Sequence, residues 1–517
     1  MQKATGFHVR TLPGRDAMNR VSTNRKHLKM DSRPLCGFPK SIVGCLVAVS
    51  MIGCGGMREA WRAKRPPSAP FVQPQLPVFH GETLTNGVRV LTAPMTQLPI
   101  VDVRLVIKVG SAHDPAGQEG VAYLMGKMLQ EGTRKRDSLQ LARAFADLGS
   151  HVHVHTTQDK TSISVGVQKR YVDAAVALLA EMVRQPAFTN DDFNRVKTEH
   201  AASLRKRLAQ PAAVAMATFM AQAYGKTHPY GHPVMGTLAS AQTLRREHVK
   251  SLWQKTVGPR VAALVVSGDM TSARARRLAH RHLSNWSNSR AAATQPPPDP
   301  PPPRRLTVHV MPRASSPQTF VLMGRPLLRA GEPRNAPLAV LNALLGGMFS
   351  SRLNLTLREE KGWTYGARST VQAMVGQGPL LMHADIQKPH GADAVREIAR
   401  QLNQLRHHPP EPPEVVTAKQ SLLRSFAGDF ETVGSTSRFL TWLFVHDLPL
   451  SYHKQWLQRI ETVTTEEVAL LARDALQEHH MHAVAVGDPV DLQPSLFHIE
   501  GANIIVHEEG STTDHRI

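Results

Sequence analysis

The chain has 517 residues, too many for one core and enough for two or more domains. Its formal charge is +21 with 41% hydrophobic and 5% aromatic residues, a globular composition whose excess charge favours anionic lipid headgroups or acidic peptides. All three cysteines, Cys36, Cys45 and Cys54, lie near the N-terminus, which excludes a disulfide framework and a cysteine-based zinc site in the rest of the chain.

Residues 1–29 are basic and unpatterned, and Met30 begins a more sensible unit, so the true start is read at Met30. Arg33 and Lys40 form a charged region, and the apolar run from Ser41 to Gly53 has signal-peptide length, too short to span a bilayer. Cys54 follows Met51-Ile52-Gly53, an end that resembles a lipobox, although Met51 is an unusual residue at its place. The expectation is a lipoprotein of the bacterial cell envelope, facing the periplasm, held in the membrane through lipidated Cys54. The alternative is ordinary secretion with a free cysteine. Residues 1–53 hold nine Lys/Arg and two Asp/Glu, so their removal lowers the net charge by seven, from +21 to about +14. No basic, aromatic-interleaved motif indicates nucleic acid.

Residues 54–79 then read as anchor and Pro-rich tether. The run QPPPDPPPPRR at 295–305 divides the body into an N-terminal domain, 80–294, and a C-terminal domain, 306–495, with a tail at 496–517. In the first, strands are predicted at Val88–Leu91 and Ile100–Val109, helices at Val121–Gln130 and Leu139–Leu148, a strand over His151–Val167, and an amphipathic helix over Val172–Arg184. The second gives the same order: strand Thr319–Met323, helix Leu338–Leu345, strand Leu380–Ile386, helix Asp393–Arg406. Both close on one phrase, Val265-Val266-Ser267-Gly268-Asp269 and Val484-Ala485-Val486-Gly487-Asp488, each after a helix opening at a capping threonine, Thr243 or Thr464. Matching order argues for duplication, and for an α+β fold of two units, each a sheet with helices packed on one face.

Several groups could carry chemistry. His151, His153 and His155 alternate along a strand and point to one side, which suits a solvent-facing strand, a peptide groove or a metal. His228 and His232 have helical spacing, but Pro229, Gly231 and Pro233 forbid a helix there. From Leu345 to Ser369 the chain reads as a Gly346-Gly347 turn and a helix burying Leu353 and Leu357. It breaks at Gly362, and a strand follows through Trp363, Thr364 and Tyr365. Arg358 and Tyr365 flank that joint, where a guanidinium and a phenol could bind peptide carbonyls.

That last segment closely resembles the Arg/Tyr motif in the C-terminal domain of insulinase-like (pitrilysin-type) zinc peptidases. The resemblance runs from about Phe79 to Pro489 and includes Gly120–Thr133, GVAYLMGKMLQEGT. In active members this frame carries an H-x-x-E-H helix that binds zinc and activates its water. Here Tyr123, Gly126 and Lys127 stand at the three functional positions, and alignment places Ser203 at the third ligand with Glu199 a turn earlier. A phenol is a poor ligand at neutral pH, glycine is no base, and an ammonium repels a cation. The resemblance thus implies no metal and no cofactor in this chain. It implies a non-catalytic subunit whose partner carries the zinc, with Arg358 and Tyr365 binding a peptide or unfolded protein substrate over it. A stand-alone peptide-binding or assembly scaffold is the alternative.

Overall fold

The computed structural model describes residues 76–288, 296–492 and 499–508. The signal region, Cys54 and the tether up to residue 75 lie outside the described residues. Among the described residues, no helix is long and apolar enough to cross a membrane.

The first half builds a six-stranded sheet from β1 (His80–Thr83), β2 (Arg89–Pro94), β3 (Ile100–Ile107), β4 (His153–Thr156), β5 (Thr161–Gln168) and β6 (Ala262–Gly268), in the order β1-β2-β6-β3-β5-β4. Its helices are α1 (Val121–Met128), α2 (Ser138–Ala146), α3 (Val172–Arg184), α4 (Asn190–Leu208), α5 (Pro211–Tyr224), α6 (Leu238–Thr243), α7 (Arg246–Thr256) and α8 (Ser272–Leu283). The second half repeats the plan with β7 (Thr307–Pro312), β8 (Gln318–Leu328), β9 (Ala367–Val371), β10 (Gly378–Gln387), β11 (His482–Gly487) and β12 (Asn503–Val506), in the order β12-β7-β11-β8-β10-β9. Around them lie α9 (Asn335–Asn342), α10 (Gly391–His407), α11 (Pro412–Gly428), α12 (Val433–Val445), α13 (Tyr452–Thr462) and α14 (Thr465–Ala475). β6 runs parallel to β2 and antiparallel to β3, and β11 likewise runs parallel to β7 and antiparallel to β8. The α+β fold and the duplication are therefore as expected.

The sheets are covered on both faces, beyond the one face expected. Along β3, Val103, Leu105 and Ile107 face the helices of their own half, whereas Val106 belongs to the core shared with the other half. The cover there is α12, which crosses over to pack on β3 and β6. Conversely α5 packs on β8 and β11, placing Phe219 and Met220 against Phe320, Leu322 and Val484. This reciprocal exchange explains why all seven residues of β6 are buried: a strand covered on both faces has no solvent side to make polar. Polar contacts reinforce it, with Ser267 Oγ 2.9 Å from Ser437 Oγ and Arg104 donating to the Gly434 carbonyl.

Some local expectations need correction. Residues 151–167 form a hairpin of β4 and β5 rather than one strand, and His151 precedes it. Thr464 caps α14, its hydroxyl accepting from the Glu467 amide, but Thr243 is the last residue of α6. A capping box from Thr237 to Ser240 starts that helix earlier, and extended Leu244 separates it from α7. Gly346 and Gly347 end a π-helix, Ala343–Gly347, rather than forming a turn. Trp363, Thr364 and Tyr365 are irregular, and the strand begins only at Ala367.

In the second sheet three histidines line up across neighbouring strands. His309 Nδ1 lies 3.2 Å from His507 Nε2, and its Nε2 lies 3.4 Å from His482 Nδ1. Burial lowers the pKa of His309 to about 3 and that of His482 to about 4. The folded chain holds them neutral while the unfolded chain protonates them near 6.5, so stability is lost as pH falls below 6.5 towards the folded values. Each imidazole is expected to cost up to about 1.4 kcal/mol per pH unit in that window. Urea unfolding of parent and His309→Leu at pH 7 and pH 5 checks this; an equally steep loss in the variant would refute it.

Candidate functional site

Helix α1 starts at Gly120, whose φ of +92° suits glycine. Asp114 fixes this end by accepting from the Gly120 amide at 2.6 Å and the Ala122 amide at 2.9 Å. Burial pushes its carboxyl up to about 8 against the pull of those amides. It faces the helix end and does not line the cleft, so it is no substitute for a base there.

Tyr123, Gly126 and Lys127 share the α1 face towards α4 and the β4–β5 hairpin. The Lys127 ammonium lies 5.7 Å from the Tyr123 ring centre, and that ring packs 5.2 Å from His200 on α4. His200 is buried behind that ring. Burial pulls its pKa below the ordinary value, the Met235 backbone opposes this, and the Lys127 charge adds to it. Gly126 is tightly enclosed: a methyl group there would lie 2.5 Å from Thr156 Oγ1. Thr156 is held by a 3.3 Å contact to the Thr161 hydroxyl, which donates to the Val109 carbonyl at 2.8 Å. Ser203 is exposed and its hydroxyl donates to the Glu199 carbonyl, while the Glu199 carboxylate pairs with Arg195. A phenol, an ammonium and a filled glycine position do not fit a zinc ion, and among the described residues no group of three His, Cys, Asp or Glu could hold a metal.

Above α1 opens a cleft of about 480 Å3 between β4, α4, α5 and the loop before α6. Leu204, Met216 and Met220 give it an apolar floor, and Lys127, His155 and Arg207 stand at its wall. No carboxylate lines it. His151, His153 and His155 all point outward, as the spacing predicts, with Val152 and Val154 turned inward. His228 is structural: its ring bonds the Tyr230 amide and the Pro298 carbonyl, while His232 borders the cleft.

The Arg/Tyr segment forms a separate surface. Arg352–Asn354 is continued by a π-helix, Leu355–Glu360, that buries Leu357, and Gly362 ends it with a φ of +66°. Asn354 ties its start to the next strand, donating to the Phe349 carbonyl and accepting from the Ala367 amide. The Arg358 guanidinium lies 4.5 Å over the ring of Phe349, which is itself exposed. Tyr365 is 87% exposed and so available to a ligand. No hydrogen bond joins Arg358 to Tyr365 among the described residues, and neither lines the cleft over α1. Arg352, in the same segment, makes a two-pronged ion pair with Glu414 on α11.

Two family models match the chain: Insulinase (Peptidase family M16) over residues 89–238, and Peptidase M16 inactive domain over residues 243–422. The chain belongs to the insulinase-like peptidase family. An uncharacterized zinc protease of Mycobacterium leprae is 26% identical over 407 residues, 78% of this chain and 90% of that protein. The fold matches a peptidase M16 inactive domain from Pseudomonas fluorescens with a TM-score of 0.74 at 24% identity, covering 80% of this chain and all of that one. A periplasmic protease from Escherichia coli matches with a TM-score of 0.68 at 16% identity, over 84% of this chain and 51% of that one.

Within this insulinase-like chain the two sequence-predicted sites thus remain apart. Sequence reasoning missed Thr156, which fills the space beside Gly126, together with His200, Arg207 and Phe349. His200 follows Glu199 by one residue, the helical step that turns a side chain from solvent to core. The others carry no local signal, because each matters through a neighbour distant in sequence.

Proposed function

We propose that this chain is a non-catalytic, substrate-binding subunit of an insulinase-like zinc endopeptidase, tethered to the cell envelope and paired with a subunit that carries the zinc. The observation that supports this most is the filled Gly126 position beside Tyr123 and Lys127, together with an Arg358–Tyr365 surface left open to a ligand. In the pair, Arg358 and Tyr365 donate hydrogen bonds to the peptide carbonyls and to the oxyanion forming in the partner. Such donors stabilise charge where it develops rather than in the substrate. The periplasmic description of the Escherichia coli structural neighbour is compatible with the envelope location.

The purified chain alone is expected to bind no stoichiometric zinc and to cleave no peptide, and to become part of a peptidase when mixed with a zinc-bearing relative from the same cell. Metal analysis and a quenched peptide substrate check both halves of this statement. One equivalent of zinc surviving dialysis, with chelator-sensitive cleavage by the chain alone, would overturn it. A chain that binds peptide but finds no zinc-bearing partner in a pull-down would support the scaffold instead.

The tether is tested at Cys54. Cys54→Ser is expected to abolish lipid labelling and release the body from membranes, because stable anchoring needs more than one acyl chain or added basic residues. A Cys54→Ser protein still sedimenting with membranes in high salt would refute the lipid anchor.

A further inference from the structure

Duplication gives the C-terminal half a cleft of its own, at the counterpart of the one over α1. It measures about 400 Å3 and lies between α9, β9, α11, α12 and α13. Its chemistry is different. The wall is a run of aromatic rings: Phe439 lies 5.7 Å from Trp442, Trp442 lies 5.3 Å from Tyr452, and Tyr452 stacks 6.2 Å from Trp456. Phe426 closes the wall. Two of the chain's six tryptophans stand on this one wall, packed against the core of the C-terminal half but not covered by it. Trp442, Tyr452 and Trp456 are only half-buried, with surface turned to the cavity.

One charged side chain lines this cleft, Asp429 at the end of α11, and no lysine or arginine does. Among the described residues no cation lies over the Trp442, Tyr452 or Trp456 ring. Arg438 acts on Asp429 only through space, and the two form no ion pair within 4 Å. Aromatic faces carry negative charge density, and a carboxylate beside them adds a full charge. Both attract the same kind of ligand. We propose that this cleft binds an alkylammonium cation against the faces of Trp442, Tyr452 and Trp456, with Asp429 as counter-ion. The site is independent of the proposed subunit role and uses neither the α1 cleft nor the Arg358 surface. Burial that raises the Asp429 pKa is consistent with a carboxylate that gains from a cation partner.

The test is calorimetric titration of the full chain with tetramethylammonium chloride, against tert-butyl alcohol as a neutral probe of similar size and sodium chloride as an ionic blank. Saturable binding of tetramethylammonium is expected, at least tenfold tighter than the alcohol. Asp429→Asn, which keeps the shape, and Trp456→Leu are each expected to weaken it about five- to thirtyfold, the range of a partly desolvated cation–π contact. Arg438→Ala, which removes the competing charge, should tighten it. Equal binding of both probes, an unaltered affinity in Asp429→Asn, or no saturable binding would each overturn the proposal. Far-ultraviolet circular dichroism on each variant separates lost binding from lost folding.

Discussion

Tyr365→Phe and Arg358→Ala are each expected to lower kcat/KM of the reconstituted two-subunit peptidase by roughly ten- to a thousandfold, the magnitude of losing one oxyanion donor. Tyr365→Phe is the cleaner change. Its ring is exposed in this chain, so removing one hydroxyl disturbs no packing. Arg358→Ala also strips a guanidinium from the Phe349 face and has an added cost there. The double variant should lose less than the sum, because both donors act on one stretch of peptide. Zinc content should stay at the parental level, since the proposed pairing puts the metal in the other subunit. Arg352→Ala is unsuitable as a control because the Glu414 pair would be broken; exposed Arg473 on α14 serves instead. Parental rates in both variants would reduce the pair to a structural relic and favour the scaffold.

The second large effect concerns helix α1. Writing H-x-x-E-H back into α1 with Tyr123→His, Gly126→Glu and Lys127→His is expected to restore neither zinc nor hydrolysis. Two effects oppose each other at Gly126. Replacing glycine within a helix gains up to about 1 kcal/mol of helix propensity. Forcing a side chain into a filled space costs about 1–3 kcal/mol. The packing cost is expected to win, because Thr156 is held by Thr161, itself anchored on the Val109 carbonyl, and has little freedom to move. Gly126→Glu alone should therefore lower the urea midpoint. Adding Thr156→Ala, which deletes the contacting hydroxyl, should return most of the loss, with a coupling of about 0.5–3 kcal/mol. With Ser203 at the position the resemblance gives the third ligand, the triple variant is expected still to lack that ligand. Equimolar, chelator-sensitive zinc in that variant would show that the cleft had kept its capacity for the metal.

Much of this was legible along the chain, because the signals were periodic or compositional. The strand at Ile100–Ile107 and the helix at Val172–Arg184 follow from alternation and from the 3.6-residue period. The near-identical phrases ending in Gly268-Asp269 and Gly487-Asp488 mark the two parallel closing strands. Reading failed where two local codes competed. Thr243 looks like a cap, but Thr237 and Ser240 capture the helix start first. The Gly346-Gly347 pair looks like a turn, yet Gly346 is needed where a methyl group would lie 2.3 Å from the Ser369 amide nitrogen, a close approach of backbones.

The α+β class and the repeated order of elements were legible along the chain, as was the placing of a phenol, a glycine and an ammonium at Tyr123, Gly126 and Lys127, because each rests on residue identity or on short-range periodicity. That α5 and α12 change places to cover each other's sheets emerged only in the folded chain. Only it placed Thr156 in the space beside Gly126, linked His309 to both His482 and His507, and gathered Trp442, Tyr452 and Trp456 around one cavity beside Asp429. Contacts of this kind join residues separated by tens to hundreds of positions. Close packing selects them by shape once the helices meet, and no short period in the chain records which surface a helix will meet.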